Sequence, residues 1–346
     1  MKGRSSPSVP MPFLRILVLR LLTTAITLAG VSVIVFFVIR VVPGNPIAMM
    51  LPPGATEADI ARLSALYGLD KPLVAQFGIW VAGVMQGDFG TSITTRQPVL
   101  ALVLGRLPAT LELSIMALVI ACLLGGAAAL TGTRFRGGRT EGAIDVANGM
   151  ALSVPDFLWG LILILLFGVL VPIFHISGRV TPSLDLPFTT SFYLFESLIR
   201  LRFDLWADIV AHMFMPALAL AIPLAAITGQ LLKQSLKETM NLDYVTLART
   251  KGYGESRVIL REALRNAALP TLTLVGVQFT FLIGGTVIIE RLFSYEGLGN
   301  MAIDAVINRD LPLIQGIVLL FAVIFTAVNL IVDLLYTVLN PRLRHG

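Results

Sequence analysis

Six long stretches without a charged side chain constrain this sequence more than any of its other features. Each stretch is about as long as the roughly 20 residues that a helix needs to cross a bilayer. Charged residues make up only 14% of the sequence, whereas about 25% is usual in soluble domains. We therefore predict an all-α integral membrane protein with six transmembrane helices. The predicted spans are Leu21 to Ile39, Leu113 to Thr133, Phe157 to Gly178, Met213 to Leu232, Asn266 to Ile289 and Leu311 to Val332.

The distribution of Lys and Arg predicts the orientation of the spans, because basic residues are enriched in cytoplasmic segments. With the N-terminus inside, the inside segments are 1–20, 132–141, 233–268 and 340–346, and they hold 16 of the 26 basic residues. The longer outside segments hold the other 10. This bias favours an N-in, C-in arrangement with cytoplasmic tails at 1–20 and 341–346. It also accounts for the net charge of +5, so no nucleic acid partner is implied.

The region between the first two spans, residues 40–108, is too polar to cross a membrane and too long for a simple turn. With the first span at 21–39, we expect this region to form an external cap over the outer face. Within it, Glu57 to Tyr67 has the pattern of a short amphipathic helix, and Gly87 to Ser92 has that of a turn. A second external segment, Ser177 to His212, is rich in aromatic residues and indicates an interfacial excursion.

The sequence offers little for catalysis or nucleotide binding. The three histidines, His175, His212 and His345, are isolated in sequence and show no His-Glu-x-x-His spacing for a metal. No Gly-x-Ser-x-Gly motif and no Gly-x-x-x-x-Gly-Lys-Ser/Thr loop is present. The single Cys122 lies within a span. We therefore expect no catalytic residue, no metal and no directly bound cofactor, so that any ATP is used by partner subunits.

Five carboxylates lie near the ends of spans, where a functional role has to be weighed because burying a charge is costly. They are Glu112, Asp145, Asp156, Glu290 and Asp333. Their positions favour interfacial pairing or packing against neighbouring helices. A proton or ion relay stays open, and it would make the chain a stand-alone ion-coupled secondary transporter centred on Asp145, Asp156 or Asp333. The third helix is expected to begin near Glu141 and to bend at Pro155.

One polar segment, Lys233 to Asn266, separates two apolar runs on the predicted cytoplasmic side. Gly252 and Gly254 are expected to end one short helix and begin the next, because glycine adopts the backbone conformations that such a corner requires. Gly254 is a suitable N-cap, and Glu255 in the first turn favours the helix dipole. On charge alone the segment could be a solvated loop, whereas the glycine corner favours a docking helix-turn-helix. Its candidate apolar knob is Tyr244, Leu247 and Tyr253, and the surrounding basic residues are Arg249, Lys251, Arg257, Arg261 and Arg265.

This segment resembles the EAA loop of bacterial ABC importer permeases. The similar residues are Asp243-Tyr-Val-Thr-Leu-Ala-Arg-Thr-Lys-Gly252 and Arg257-Val-Ile-Leu-Arg-Glu-Ala-Leu-Arg-Asn-Ala-Ala-Leu-Pro270. The sequence is most similar to B-type subunits of the dipeptide, oligopeptide and nickel group, from about Pro12 to Arg344. Further segments resemble that group in order: Arg40 to Pro46, Tyr67 to Leu73, Gly87 to Ser92, Arg106 to Leu113, Glu290 to Gly299, Asn308 to Leu313 and Val332 to Tyr336.

The resemblance implies a type I ABC importer permease fold, with a core at 109–340 that contains a cytoplasmic coupling loop at 233–268. It implies a bacterial inner membrane location and ATP-driven import of di- or oligopeptides by alternating access. Nickel, glutathione and other small solutes are alternative substrates. The implied partners are a homologous second permease, two cytoplasmic ABC ATPase subunits, a periplasmic solute-binding protein and membrane lipid.

The resemblance also implies residue roles in the coupling loop. The candidate ATPase-coupling residues are Asp243, Tyr244, Thr246, Ala248, Arg249, Lys251, Gly252, Gly254 and Arg257. Separately, Gln230, Gln278 and Asn329 are polar positions inside spans that could line the translocation path, although hydrogen bonding between helices is an equal alternative. The sequence departs from the family pattern in the EAA triplet itself, which reads Thr246-Leu-Ala248, at Glu262, where His is frequent, and at Glu296, where Pro is common.

Overall fold

The computed structural model describes residues 13–41, 56–58 and 70–339. All regular elements within these ranges are helical. The helices are α1 (Phe13–Val41), α2 (Leu73–Met85), α3 (Val99–Arg134), α4 (Arg139–Ser153), α5 (Asp156–Leu163), α6 (Tyr193–Ile199), α7 (Phe203–Thr239), α8 (Asp243–Thr250), α9 (Glu255–Arg257), α10 (Leu264–Leu292), α11 (Leu298–Ile307) and α12 (Leu311–Leu339), and two π-helical segments at Ile164–Leu170 and Val258–Ala263 extend α5 and join α9 to α10.

Five of the described segments are long and apolar enough to cross a membrane. They are Val18–Val38, Val99–Arg134, Phe203–Thr239, Glu255–Leu292 and Leu311–Val332. A sixth crossing is available if the bent pair Arg139–Ser153 and Asp156–Leu170 counts as one span. The predicted all-α membrane class, with a chain that crosses the bilayer several times, is therefore confirmed.

The third predicted span differs from the structure at its C-terminal end. Its helix bends by 103° between Ser153 and Asp156, which confirms the bend predicted at Pro155. Val154 is extended there (φ −103°, ψ 124°), as expected of a residue that precedes proline. The charge-free run continues to Gly178, but the helix ends at Leu170 because the same restriction acts on Val171 before Pro172.

The described residues fall into two compact units. Residues 109–299 and 327–339 belong to one, and residues 13–41, 56–58, 70–108 and 300–326 belong to the other. In the second unit, Phe36 is fully buried and its ring lies 5.3 Å from that of Phe77. The cap predicted at 40–108 lies partly outside the described residues. Only Glu57 and Ala58 of the predicted Glu57 to Tyr67 helix are described, and both are helical.

Helix α7 forms much of the core of the first unit and contacts α4, α5, α6 and α10. Leu205, Met213 and Leu236 are fully buried along its length. It also approaches α3 closely, since a Cβ built on Gly125 would lie 2.5 Å from the carbonyl oxygen of Ala225. Small residues at helix crossings are typical of membrane proteins, where close backbone contact drives helix association.

The external segment before α7 is held by a carboxylate. The Thr190 hydroxyl and the amides of Thr189 and Thr190 donate hydrogen bonds to the carboxylate of Glu196. With the Thr190 hydroxyl as the largest contribution, these bonds lower the pKa of Glu196 to about 2. Arg200 forms an ion pair with the same group at 2.6 Å. This carboxylate therefore orders the turn that leads into α6.

Candidate functional site

Helix α8 ends in a Schellman turn at Gly252. The amide of Gly252 donates to the carbonyl oxygen of Arg249 (2.9 Å), and the amide of Tyr253 donates to that of Ala248 (3.3 Å). These two bonds define the motif, in which the residue after the helix cap has a left-handed conformation. Gly252 occupies that position with φ +79°, where any residue with a Cβ is strained. The predicted glycine corner is confirmed.

Gly254 begins the second arm of the corner. It has φ −64° and ψ 147°, and its carbonyl oxygen accepts hydrogen bonds from the amides of Arg257 (2.9 Å) and Val258 (3.1 Å). It is therefore the N-cap that the sequence predicted. Its backbone angles are open to any residue, in contrast to those of Gly252.

Side chains connect the two arms and restrict the angle between them. Arg249 forms an ion pair with Glu255 (3.0 Å), and its Nη1 donates to the carbonyl oxygen of Met240 (3.4 Å). On the other side of the corner, the side-chain amide of Asn266 donates a hydrogen bond to the Tyr244 hydroxyl (2.7 Å). The corner is therefore tied to the end of α7 and to the start of α10 by its own polar groups.

A continuous apolar cluster lies beneath α8. Val245 and Ala248 are its buried residues in the corner, with exposures of 0% and 6%. Ala248, one of the predicted coupling residues, therefore faces the chain's own core. The other buried members are Ala129, Leu232, Leu236, Met240, Val258, Ile259, Ala263 and Ala267. These residues come from α3, α7, the π-helical segment Val258–Ala263 and the start of α10, and α8 contacts that π-helical segment directly.

The opposite face of the corner is open. Leu247 is 54% exposed and Tyr244 is 38% exposed, as the predicted apolar knob requires. Tyr253 is only partly exposed, and the guanidinium of Arg257 lies 4.1 Å from the centre of its ring. The remaining predicted coupling residues with exposed side chains are Asp243, Thr246 and Lys251.

The C-terminal end of α7 is also tied to α4. The Nζ of Lys233 lies 2.7 Å from a carboxylate oxygen of Glu141 and 2.8 Å from one of Asp145. Asp145 is therefore paired across helices, as its position near a span end predicted. Asp156 lies at the N-terminus of α5, where a negative charge favours the helix dipole. The side chain of Asp333 lies outside the described residues.

Glu112 and Glu290 are fully buried, which sequence reasoning did not anticipate. Glu112 pairs with Arg179 at 2.6 Å, and the amide of Leu194 donates to its second oxygen. The Thr110 hydroxyl donates to Glu290 at 2.7 Å. Both carboxylates therefore hold elements of the first unit together. Pairing was the favoured prediction for Glu112, but nothing in the sequence identified Arg179 as the partner, because the two residues are 67 positions apart.

The predicted path residues are not brought together by a shared contact. Gln230 is exposed, whereas Gln278 and Asn329 are partly exposed. The Thr280 hydroxyl donates to the side-chain oxygen of Asn329 at 3.3 Å. This bond joins α10 to α12, which is the alternative that the sequence left open for such residues.

The prediction that the histidines are isolated is wrong for two of them. The rings of His175 and His212 stack with centroids 3.9 Å apart. His345 lies outside the described residues. The distance of 37 positions between the stacked pair hid their proximity, because the intervening external segment folds back onto the start of α7.

Two protein families match the sequence over most of its length. Residues 13–114 match the family described as "Binding-prot-dependent transport system membrane comp, N-term". Residues 117–345 match the family described as "Binding-protein-dependent transport system inner membrane component". The chain belongs to this inner membrane component family. The predicted family and the multi-pass inner membrane location are thereby confirmed.

Several members of the inner membrane component family are similar to this chain. The di/tripeptide transport system permease protein DppB of Pseudomonas aeruginosa is 38% identical over 92% of this chain and 95% of its own length. The dipeptide transport system permease protein DppB of Escherichia coli is 39% identical over the same shares. The glutathione transport system permease protein GsiC of Salmonella choleraesuis is 33% identical over 94% of this chain and 97% of its own length.

Proposed function

We propose that this chain is a permease subunit of an ATP-driven ABC importer that carries di- or oligopeptides across the inner membrane. The observation that carries the proposal is the 38–39% identity to dipeptide permeases over 92% of the chain. Glutathione is the alternative substrate with a similar relative at 33% identity. The dipeptide assignment is preferred because the identity to those permeases is higher.

The membrane chain would act with four kinds of neighbour. A homologous second permease would complete the translocation path, and two cytoplasmic ABC ATPase subunits would use the ATP. A periplasmic solute-binding protein would deliver the substrate, and lipid would surround the assembly. The family description, which names a binding-protein-dependent system, supports the solute-binding protein and the separate energy-coupling subunits.

The corner between α8 and α9 is the proposed contact for an ATPase subunit. Its open face offers Leu247 and Tyr244 as an apolar contact, with Thr246, Lys251 and Arg257 beside them. Arg249 was predicted to pair with the ATPase. Its ion pair with Glu255 supports a second role, in which Arg249 keeps the angle of the corner fixed.

The corner is built to transmit a displacement to α7 and α10. Val245 and Ala248 share one apolar cluster with residues from both helices, and Arg249 donates a hydrogen bond to Met240, the residue that follows α7. A push on α8 would therefore move both spans as a rigid body, which is a common form of conformational switching. Reversing a 99:1 preference between inward-open and outward-open states takes about 5.5 kcal/mol of differential binding, so a loosely attached loop would not suffice.

The competing ion-coupled transporter is not favoured by the ion pairs that these carboxylates form. Glu112 is neutralised by Arg179, and Asp145 is paired with Lys233. A relay carboxylate has to exchange protons or ions during transport, whereas these groups are occupied in holding helices together. The path residues Gln230 and Gln278 stay candidates, and the helix-to-helix bond of Asn329 makes it the weakest of the three.

The proposal is tested by purifying the tagged chain from its native membrane and identifying what accompanies it. We expect a second permease and ATPase subunits, and ATP-dependent uptake of a labelled dipeptide after reconstitution with the binding protein. Unlabelled dipeptide should compete for uptake more strongly than glutathione or nickel. A lone chain that moves solute without ATP would overturn the proposal, and stronger competition by glutathione would replace the substrate class.

A further inference from the structure

Two histidines and one aspartate converge where the external segment meets α7. The candidate ligand atoms of His175, Asp208 and His212 all lie within 4.8 Å of one another. His212 and Asp208 are one turn apart on α7, and His175 comes from the segment that follows the π-helical turn. Two imidazoles and a carboxylate form a ligand set that suits zinc, nickel, cobalt and copper ions.

The hydrogen bonding of His212 leaves one ring nitrogen free for a metal. Its Nδ1 lies 2.8 Å from the backbone carbonyl oxygen of Asp208 and 3.5 Å from one oxygen of the Asp208 carboxylate. Because a carbonyl oxygen can only accept, Nδ1 must carry the proton. In the neutral ring, Nε2 then has a free lone pair. Metal-binding histidines are typically held in this way, with the other ring nitrogen donating to a carbonyl or carboxylate oxygen.

The carboxylate of Asp208 is also held in place by hydrogen bonds. The amide of Thr181 donates to one of its carboxylate oxygens (2.9 Å), and the Thr181 hydroxyl donates to the other (2.7 Å). Each oxygen keeps a lone pair beyond these bonds. A carboxylate that is itself hydrogen-bonded from outside the ligand set is the usual arrangement around a bound metal.

Access to the cluster is through His175. His212 is nearly buried, with 4% exposure, and Asp208 is partly exposed, whereas the ring of His175 is exposed. The two rings stack almost in parallel, at 6°, so their lone pairs do not yet converge on one point. Rotation of the exposed His175 about its side-chain bonds would bring a ring nitrogen toward Nε2 of His212, while the buried ring of His212 stays in place.

We propose that His175, Asp208 and His212 bind one divalent transition metal ion of the zinc, nickel or cobalt type. The site lies at the end of α7 that is predicted to face outside. Three protein ligands leave a fourth position for water or for an external ligand. Because Thr181 already ties the external segment to Asp208, a bound ion adds a second connection and fixes residues 175–181 against α7.

The test is a metal titration of the full-length chain, purified with a tag that contains no histidine. Co²⁺ is added at about pH 7.5, above the ordinary histidine pKa of about 6.5, and its visible absorption reports four- or five-coordinate binding. Zn²⁺ should then displace Co²⁺ and raise the thermal unfolding midpoint. We expect one ion per chain, with affinity at least about 10-fold weaker in His175→Ala, since the loss even of an outer partner costs about 10–100-fold.

Matched variants separate this site from other histidines. His345→Ala removes the third histidine of the chain and should leave the Co²⁺ spectrum and the stoichiometry unchanged. His212→Gln should abolish binding, and the exposed His175→Ala covers the case in which His212→Gln does not fold. The proposal is overturned if binding is not saturable, if the affinity for Co²⁺ is unchanged in His175→Ala, or if binding is lost in His345→Ala.

Discussion

Replacing Gly252 with valine tests whether the corner depends on a left-handed backbone. The space around Gly252 is open, because a Cβ built there meets no atom within 4 Å. The cost of a side chain therefore comes from the backbone angle, φ +79°, and not from a clash. A residue other than glycine in this conformation costs about 1–2 kcal/mol, and a β-branched residue lies at the upper end of that range.

In the variant, the backbone at position 252 can instead leave the left-handed conformation, but this costs at least as much free energy. The corner would then lose the hydrogen bonds from the amides of Gly252 and Tyr253, each contributing about 1 kcal/mol. By either route, the equilibrium constant for the observed form of the corner falls by a factor of about 5–30, which corresponds to a free energy of about 1–2 kcal/mol. Membrane insertion should be unaffected, since Gly252 lies in a polar segment.

Gly254 provides the matched control, two residues away and equally uncrowded. Its φ of −64° accommodates valine without strain. ATP-dependent uptake into proteoliposomes is measured for Gly252→Val, Gly252→Asn and Gly254→Val. We expect uptake to be lost in Gly252→Val, partly kept in Gly252→Asn because asparagine tolerates this conformation, and reduced less in Gly254→Val than in Gly252→Val, since only the N-cap preference for glycine is lost there. Normal uptake by Gly252→Val would refute the role of the corner in coupling.

Three further predictions concern the packing and charges of the first unit. Gly125→Ala should lower the thermal unfolding midpoint, because its Cβ would lie 2.5 Å from a backbone oxygen and overpacking costs about 1–3 kcal/mol; Gly126→Ala, in open space, should not. Glu112→Gln should destabilise by about 3–5 kcal/mol by leaving Arg179 buried without its partner, and adding Arg179→Met should recover part of that loss in a denaturation assay. Because the pKa of Glu196 is lowered from 4.5 to about 2, its carboxylate stabilises the fold above pH 4.5, and this contribution should be lost as the pH falls toward about 2. The thermal unfolding midpoint of Glu196→Gln should therefore vary less over this pH range than that of the unchanged chain. An equal pH dependence of the two midpoints would contradict the prediction.

Much of the fold is predictable because it depends on local properties of the sequence. Charge-free runs locate the spans, since the cost of burying charge acts at each position. Gly252 marks the corner because one residue type suits its backbone angle. The helix end at Leu170 was missed, although the signal was present: Pro172 restricts the residue before it, and hydropathy alone does not register that.

Contacts between distant positions were not predictable in the same way. Glu112 was recognised as a charge near a span end, but its partner Arg179 lies on a segment whose path depends on the whole fold. The same holds for His175 and His212, which stack only because the external segment returns to α7. The burial of Ala248, a predicted coupling residue, was not predictable either, since adjacent residues in a short helix can face the core or the solvent.

The short third span has a consequence for the lipid around the protein. Helix α5 and its π-helical extension hold 15 residues, about 22 Å at about 1.5 Å per residue, against a hydrocarbon thickness of about 30 Å. The next residues before the external segment, 171–176, are non-helical and largely exposed, so the rest of the crossing would place polar backbone groups at the depth of the acyl chains. Acyl chains cannot satisfy such groups. We therefore expect this side of the protein to be covered by a neighbouring subunit or by water and not by acyl chains.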